Sequence, residues 1–305
     1  IFQPVFTDSM TNTSRWIKIP VLGFTFQPST LASSILLIYI ARYLAKVKDD
    51  VISFSKTILP LWIPVFVVVA LILPATFSTA AILFLLVLVI CFLGGYPKRY
   101  LFLIVFLGIF TLSIFILAVK AYPELMPNRV DTWTSRVDNF INSENTESNY
   151  QIEKAKIAIA TGGIKGLGPG KSIQKNFLPQ SSSDFIYAII IEEFGLIGGL
   201  FLVILYLWFL FRIVIISNKS ESVFGSLLAV SMGLPIVFQA FINMSVAVEL
   251  MPVTGQTLPL ISSGGTSIWM TCLSIGIILS VSRKYESKNE EIDNTNPLEI
   301  LKETI

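Results

Sequence analysis

The chain has 305 residues, 53% hydrophobic and only 14% charged, with a mean hydropathy of +0.74. A soluble domain carries roughly 25% charged residues, so the composition excludes a soluble enzyme and implies an integral membrane protein. The net charge of +2 names no partner and nothing points to nucleic acid, while the absence of histidine rules out a His base or a His-ligated metal.

The chain opens on Ile1 within a polar stretch, without a recognisable signal peptide. The expectation is that an N-terminal part precedes it. Apolar runs near the ~20 residues that cross a bilayer predict seven spans, at about 28–45, 57–74, 76–96, 99–120, 185–211, 223–247 and 261–282. The second and third meet at Leu73–Thr79, where a proline and small polar residues break the helix. Pro60, Pro64 and Pro235 are expected to kink or start helices. Cys91 and Cys272 both lie in apolar runs, which favours buried free thiols over a disulfide.

Basic residues orient the spans. Arg42, Lys46, Lys48 and Lys56, then Lys98 and Arg99, then Arg212 and Lys219, and finally Arg283, Lys284 and Lys288 fall on alternate connections, which places those sites and the C-terminus in the cytoplasm. Residues 1–27, 121–184 and 248–260 then lie outside, and an odd number of spans is expected upstream if the true N-terminus is inside. The predicted fold is an all-α polytopic membrane protein: one membrane domain over 1–284 with a large outer loop at 121–184, and a polar, disordered tail at 285–305.

The outer loop is too long for a connector. Trp133, Phe140, Tyr150, Phe177 and the periodic run Ile152–Ala160 predict order, including a short amphipathic helix. The loop is cationic, with Arg129, Arg136, Lys154, Lys156, Lys165, Lys171 and Lys175. That placement suits an anionic headgroup or a phosphate-bearing substrate, and equally the ordinary solvation of an exposed loop. Lys165 and Lys171 flank GLGPG, whose glycines permit close backbone approach to a phosphate. No strand precedes it, so a nucleotide site gains no support.

Asp184 follows three serines at the head of an apolar run. It admits two roles: an N-cap, or a general base at the membrane surface. Glu192 and Glu193 lie roughly two turns further on; buried carboxylates of this kind either pair with neighbouring helices or serve function. Met251–Trp269 carries two prolines, three glycines and hydroxyl residues, more than a plain turn needs. Irregular backbone of this kind is tolerated where it is buried or lines a cavity.

These stretches together resemble the SEDS family, the FtsW/RodA/SpoVE group. Ser14–Ile17 followed by Gln27–Ser29 is similar to its RWI…QPSE signature. Tyr150-Gln151, the run Gly166, Gly168, Gly170, Ser172, then Gln174-Lys175, Leu178-Pro179 and Asp184–Tyr187 resemble its large loop. Glu192–Gly195 follows at the family's spacing, and Met251–Gly255 and Leu258-Pro259 with Ser262, Gly264, Gly265, Thr266 and Ser267 resemble its C-terminal signature. Three departures stand out: ATFSTA at Ala75–Ala80 where PDLGTA is common, so that Thr76 replaces an acid; Thr30 in place of Glu; and Ser263 in place of an aromatic.

The resemblance implies ten membrane helices, three of them upstream, and a peptidoglycan glycosyltransferase that polymerises lipid II outside the cytoplasmic membrane. It implies Asp184 as catalytic base for the acceptor 4-hydroxyl, with undecaprenyl pyrophosphate leaving. Arg136, Lys165 and Lys175 are the expected cations, and Tyr150, Gln151, Gly168, Gly170, Ser172, Gln174, Glu192, Pro259, Ser262, Gly264 and Gly265 the remaining substrate-binding candidates. The sequence assigns no cofactor and leaves a divalent cation, Mg or Mn, open: a pyrophosphate leaving group suits one, but no acid cluster offers it a dedicated site. Implied partners are a class B penicillin-binding protein, other division proteins and membrane lipids, because the wording around Gly166–Ala188 is closest to division-type members. A lipid II flippase using the buried glutamates and a non-catalytic division scaffold are the competing functions.

Overall fold

The computed structural model describes residues 17–18, 25–48, 53–73, 75–121, 147–179 and 181–294. Apart from one pair of two-residue strands, β1 (Ile17–Lys18) and β2 (Thr25–Phe26), antiparallel with Ile17 opposite Phe26, the described chain is helical.

A helix stands at each predicted span: α1 (Pro28–Val47), α2 (Phe54–Ile72), α3 (Phe77–Leu93), α4 (Lys98–Ala121), α6 (Ile186–Lys219), α7 (Val223–Ala247) and α8 (Gly265–Asn294). Between α4 and α6 lies α5 (Glu147–Gly162), the amphipathic helix expected around Ile152–Ala160. Five of these, α1, α2, α6, α7 and α8, are long and apolar enough among the described residues to cross a membrane.

Pro60 acts as expected, whereas α7 runs on through Pro235. In α2 the winding loosens to a π-turn over Ile58–Trp62, around Pro60. Tyr96 pins that turn, its hydroxyl 2.7 Å from Thr57 Oγ1 and accepting from Trp62 Nε1 at 3.1 Å. The break between α2 and α3 falls inside Leu73–Thr79.

Two ends differ from expectation. Helix α6 continues past Arg212 to Lys219, because the apolar run resumes at Ile213–Ile216 beyond that single charge. Helix α8 starts only at Gly265 and runs through residues 285–294, the first half of the polar tail, whose lysines and glutamates favour helix. Both cysteines are free, but only Cys91 is buried; Cys272 faces outward from α8.

Helix α7 is the hub, with 61% of its apolar stretch buried against 28% or less in the other four spans. One core joins α1, α2 and α3 to the half of α7 nearer Val223. A second joins α5, the head of α6, the other half of α7 and Leu258. Asp184 and the Met251–Gly264 loop sit at this second core, so a packed platform holds the candidate site.

Candidate active site

The site begins with an interruption. Gly195 adopts φ 72° and ψ −176° inside α6, a region that only glycine occupies readily. Two helical bonds are thereby lost: the Glu192 carbonyl no longer meets the Leu196 N–H, nor the Glu193 carbonyl the Ile197 N–H. In an apolar surrounding such groups must find partners. The strap Gly163–Lys171 supplies all four. Leu167 N donates to Glu192 O and Gly168 N to Glu193 O, both at 2.9 Å; Leu196 N donates to Gly163 O at 2.9 Å and Ile197 N to Ile164 O at 3.4 Å.

The glycines make this approach possible. A Cβ on Gly166 would run into the Glu193 carbonyl, and one on Gly195 into the Ile164 carbonyl. The GLGPG run therefore gives its Leu167 and Gly168 amides to protein carbonyls, where the sequence suggested a phosphate cradle.

The Glu192 side chain closes the strap. It is fully buried and accepts hydrogen bonds from Ser172 Oγ, from Ile173 N at 3.1 Å and from Gln174 N at 3.2 Å. Ser172 Oγ in turn accepts from Lys175 N at 3.1 Å. One carboxylate thus fixes the turn that presents Lys171 and Lys175, both exposed. The uncharged part of α6 starts at Phe194, so the glutamates mark its edge rather than the middle of a span.

Asp184 lies on a second set of supports. Helix α6 starts at Ile186 with Phe185 in the N-cap position; Asp184 stands one residue before the place a capping side chain takes. Phe185 is buried while Asp184 is half-buried. Asn243, from the hub helix, donates to the Asp184 carbonyl at 2.8 Å and to the Gln256 carbonyl at 2.7 Å. Ser262 Oγ donates to the Ser183 carbonyl at 2.6 Å and accepts from Leu258 N at 2.7 Å. Ser263 N donates to the Ser182 carbonyl at 2.9 Å.

Gly255 faces the carboxylate: a Cβ there would stand 3.6 Å from Asp184 Oδ2. Gln256 reaches Thr79 Oγ1 at 3.0 Å, linking the loop to the head of α3. Tyr206 donates to the Pro259 carbonyl, next to Leu260, which holds a left-handed φ of 67°. Such strain persists where surrounding contacts enforce it.

The described site candidates therefore fall into two main groups, with Tyr150 and Gln151 apart from both. Pro259, Ser262, Gly264 and Gly265 belong to the loop and helix start that carry Asp184. Lys165, Gly168, Gly170, Ser172, Gln174, Lys175 and Glu192 belong to the strap and its clamp. Tyr150 and Gln151 open α5, where Lys154 lies over the Tyr150 ring at 5.3 Å, and Lys156 pairs with Glu249. Arg136 lies outside the described residues.

The sequence alone does not single out Asn243, Gln256 or Tyr206, and it marks Gly195 and Gly255 only as motif members without a role. An asparagine inside the apolar run of α7 is the one signal it offers for the first three. Among the described residues, no group of three or more His, Cys, Asp or Glu side chains gathers as a metal site requires.

Residues 1–287 match the model of the FtsW/RodA/SpoVE family, described as "Cell cycle protein". The chain belongs to this family. Similar FtsW/RodA/SpoVE members, each called a probable peptidoglycan glycosyltransferase FtsW, include one from Nitrosococcus halophilus, 35% identical over 271 residues, covering 88% of this chain and 67% of the relative. The Bacillus subtilis relative is 32% identical over 299 residues, covering 96% and 73%.

Among solved structures, a chain of a peptidoglycan synthase complex, described as coordinating polymerization and crosslinking, superposes with a TM-score of 0.70 at 24% identity, covering 93% of this chain and 76% of that one. The rod shape determining protein RodA of Thermus thermophilus gives a TM-score of 0.62 at 23% identity, covering 93% and 73%. These likenesses establish the SEDS-type fold of this family member.

Proposed function

We propose that the chain is a peptidoglycan glycosyltransferase that polymerises lipid II at the outer face of the cytoplasmic membrane during cell division. The observation that carries the mechanism is Asp184 itself: a half-buried carboxylate whose backbone is held by Asn243 from the hub helix and by the Ser262 loop. Rigid support of this kind is what a positioned general base needs. The names of the FtsW relatives support the reaction class.

In the proposed step Asp184 takes the proton of the acceptor sugar's 4-hydroxyl. The oxygen attacks the donor's anomeric carbon, a new C–O bond forms, and the bond to undecaprenyl pyrophosphate breaks. Lys165, Lys175 and Arg136 stabilise the charge that develops on the leaving pyrophosphate; Asp184 then returns its proton to solvent. Basic residues on alternate connections support an orientation with the C-terminus inside and the Asp184 end outside. A class B penicillin-binding protein is the proposed partner, adding crosslinking to polymerisation.

Transport by midplane carboxylates gains no support, because the Glu192 carboxylate is committed to the strap. The deciding experiment compares lipid II polymerisation and lipid II translocation for the full-length protein and Asp184→Ala, each with its penicillin-binding partner. Loss of glycan chains with translocation unchanged is expected. Unchanged glycan chains from the variant overturn the assignment, and lost translocation with intact polymerisation favours a flippase.

A further inference from the structure

The strap has a second face. Residues 194–211 of α6 carry no charge and end at Arg212, a length of about 27 Å at 1.5 Å per residue. That nearly equals a hydrocarbon core of about 30 Å, so the bilayer boundary on the Asp184 side falls beside Gly195. The strap is bonded to α6 at that level, through Glu192, Glu193, Leu196 and Ile197.

Its outward side chains alternate in kind. Ile164, Ile173 and Phe177 are 67%, 56% and 54% exposed, and the apolar surface continues onto the exposed Phe194, Leu196 and Ile197 of α6. Between the strap's apolar residues stand Lys165, Lys171 and Lys175, all exposed. No acid occurs in residues 163–179, and the carboxylate that clamps them, Glu192, is buried. Apolar side chains interleaved with lysines at the boundary plane are the pattern of an interfacial segment, with stems in the acyl region and ammonium groups at the phosphates.

We infer that the strap Gly163–Phe177 is an interfacial anchor that seats Ile164, Ile173 and Phe177 in the outer leaflet and binds the headgroups of anionic glycerophospholipids through Lys165, Lys171 and Lys175. The bilayer supplies the occupant because the strap sits at its edge, and charge complementarity selects its anionic lipids. Lys165 and Lys175 are shared with the proposed leaving-group site, so the test reads lipid contact and retained lipid rather than glycosyl transfer.

The test uses full-length protein in nanodiscs, labelled with bimane at Ile173→Cys in a Cys272→Ser background. Lipids brominated in the acyl chain should quench the probe roughly twofold, while aqueous iodide should not. Quenching by iodide but not by bromolipid overturns the anchor, and so does shielding from iodide that appears only when the penicillin-binding partner is added. For the headgroups, lipids retained through detergent purification are weighed by mass spectrometry for the wild type and for Lys165→Gln/Lys171→Gln/Lys175→Gln. Phosphatidylglycerol should be enriched over phosphatidylethanolamine in the wild type and fall to the bulk ratio in the variant. An unaltered ratio overturns the charge selection, and displacement of the lipid by inorganic pyrophosphate shows a phosphate site instead.

Discussion

The clamp formed by Glu192 can be tested by removing its carboxylate. Hydrogen bonds to a charged group contribute about 1.5–3 kcal/mol each. Three donors converge here: Ser172 Oγ and the Ile173 and Gln174 amides. In Glu192→Ala the part-buried Ser172 hydroxyl and Ile173 amide recover part of this from water, so a net loss of about 3 kcal/mol is expected for the local fold of the strap. At 1.4 kcal/mol per tenfold, that is about a hundredfold shift towards the open strap. Glu192→Gln keeps the shape and can still accept one or two of the bonds, so about tenfold is expected.

Limited trypsin digestion reads this directly. Cleavage after Lys171 and Lys175 tracks the open population when opening and closing are fast. The predicted order of rates is Ala, then Gln, then wild type. Equal rates for all three would show that the carboxylate does not hold the strap.

Other substitutions probe the remaining supports. Gly195→Ala forces a side chain into φ 72° and against the Ile164 carbonyl; a loss of more than about 3 kcal/mol should appear as early aggregation on heating, followed by size-exclusion fluorescence, and an unchanged melting profile would refute the strap pairing. Asn243→Ala removes the donor shared by the Asp184 and Gln256 carbonyls, and about 2–3 kcal/mol of local support. Polymerisation should fall at least about tenfold in kcat with little change in KM, because Asp184 is misplaced rather than substrate lost; a pure KM effect would refute this. Ser262→Ala leaves the Leu258 amide without its partner and should cost about 1–3 kcal/mol on the same thermal scale.

The spans were legible in the sequence because each is a run of about the length a bilayer demands, with basic residues near one end. So were the break at Leu73–Thr79, the amphipathic helix in the large loop, and the motifs on which Asp184 and Ser262 stand. The interruption of α6 was not. One glycine among apolar residues is common in membrane helices, and only the strap, far away in sequence order, shows that Gly195 leaves four backbone groups to be satisfied. For the same reason the glycines of GLGPG looked like a ligand cradle. Glu192 looked like a bare carboxylate within a span, because its partners, Ser172, Ile173 and Gln174, are brought to it by that pairing. Asn243 and Gln239 are visible as the two amides of an apolar helix, but the two carbonyl partners of Asn243 come from separate segments that only folding brings together.

Proton acceptance by Asp184 during glycosyl transfer is the step on which the proposed mechanism turns. Asp184→Asn preserves the size of the side chain and its backbone carbonyl, and with them the Asn243 and Ser262 supports, but cannot take a proton. The most direct test is the rate of glycan strand formation from lipid II by the full-length protein with its penicillin-binding partner, wild type against Asp184→Asn. A loss of roughly 10²–10⁴-fold at unchanged folding is predicted; a rate within about threefold of the wild type would contradict it.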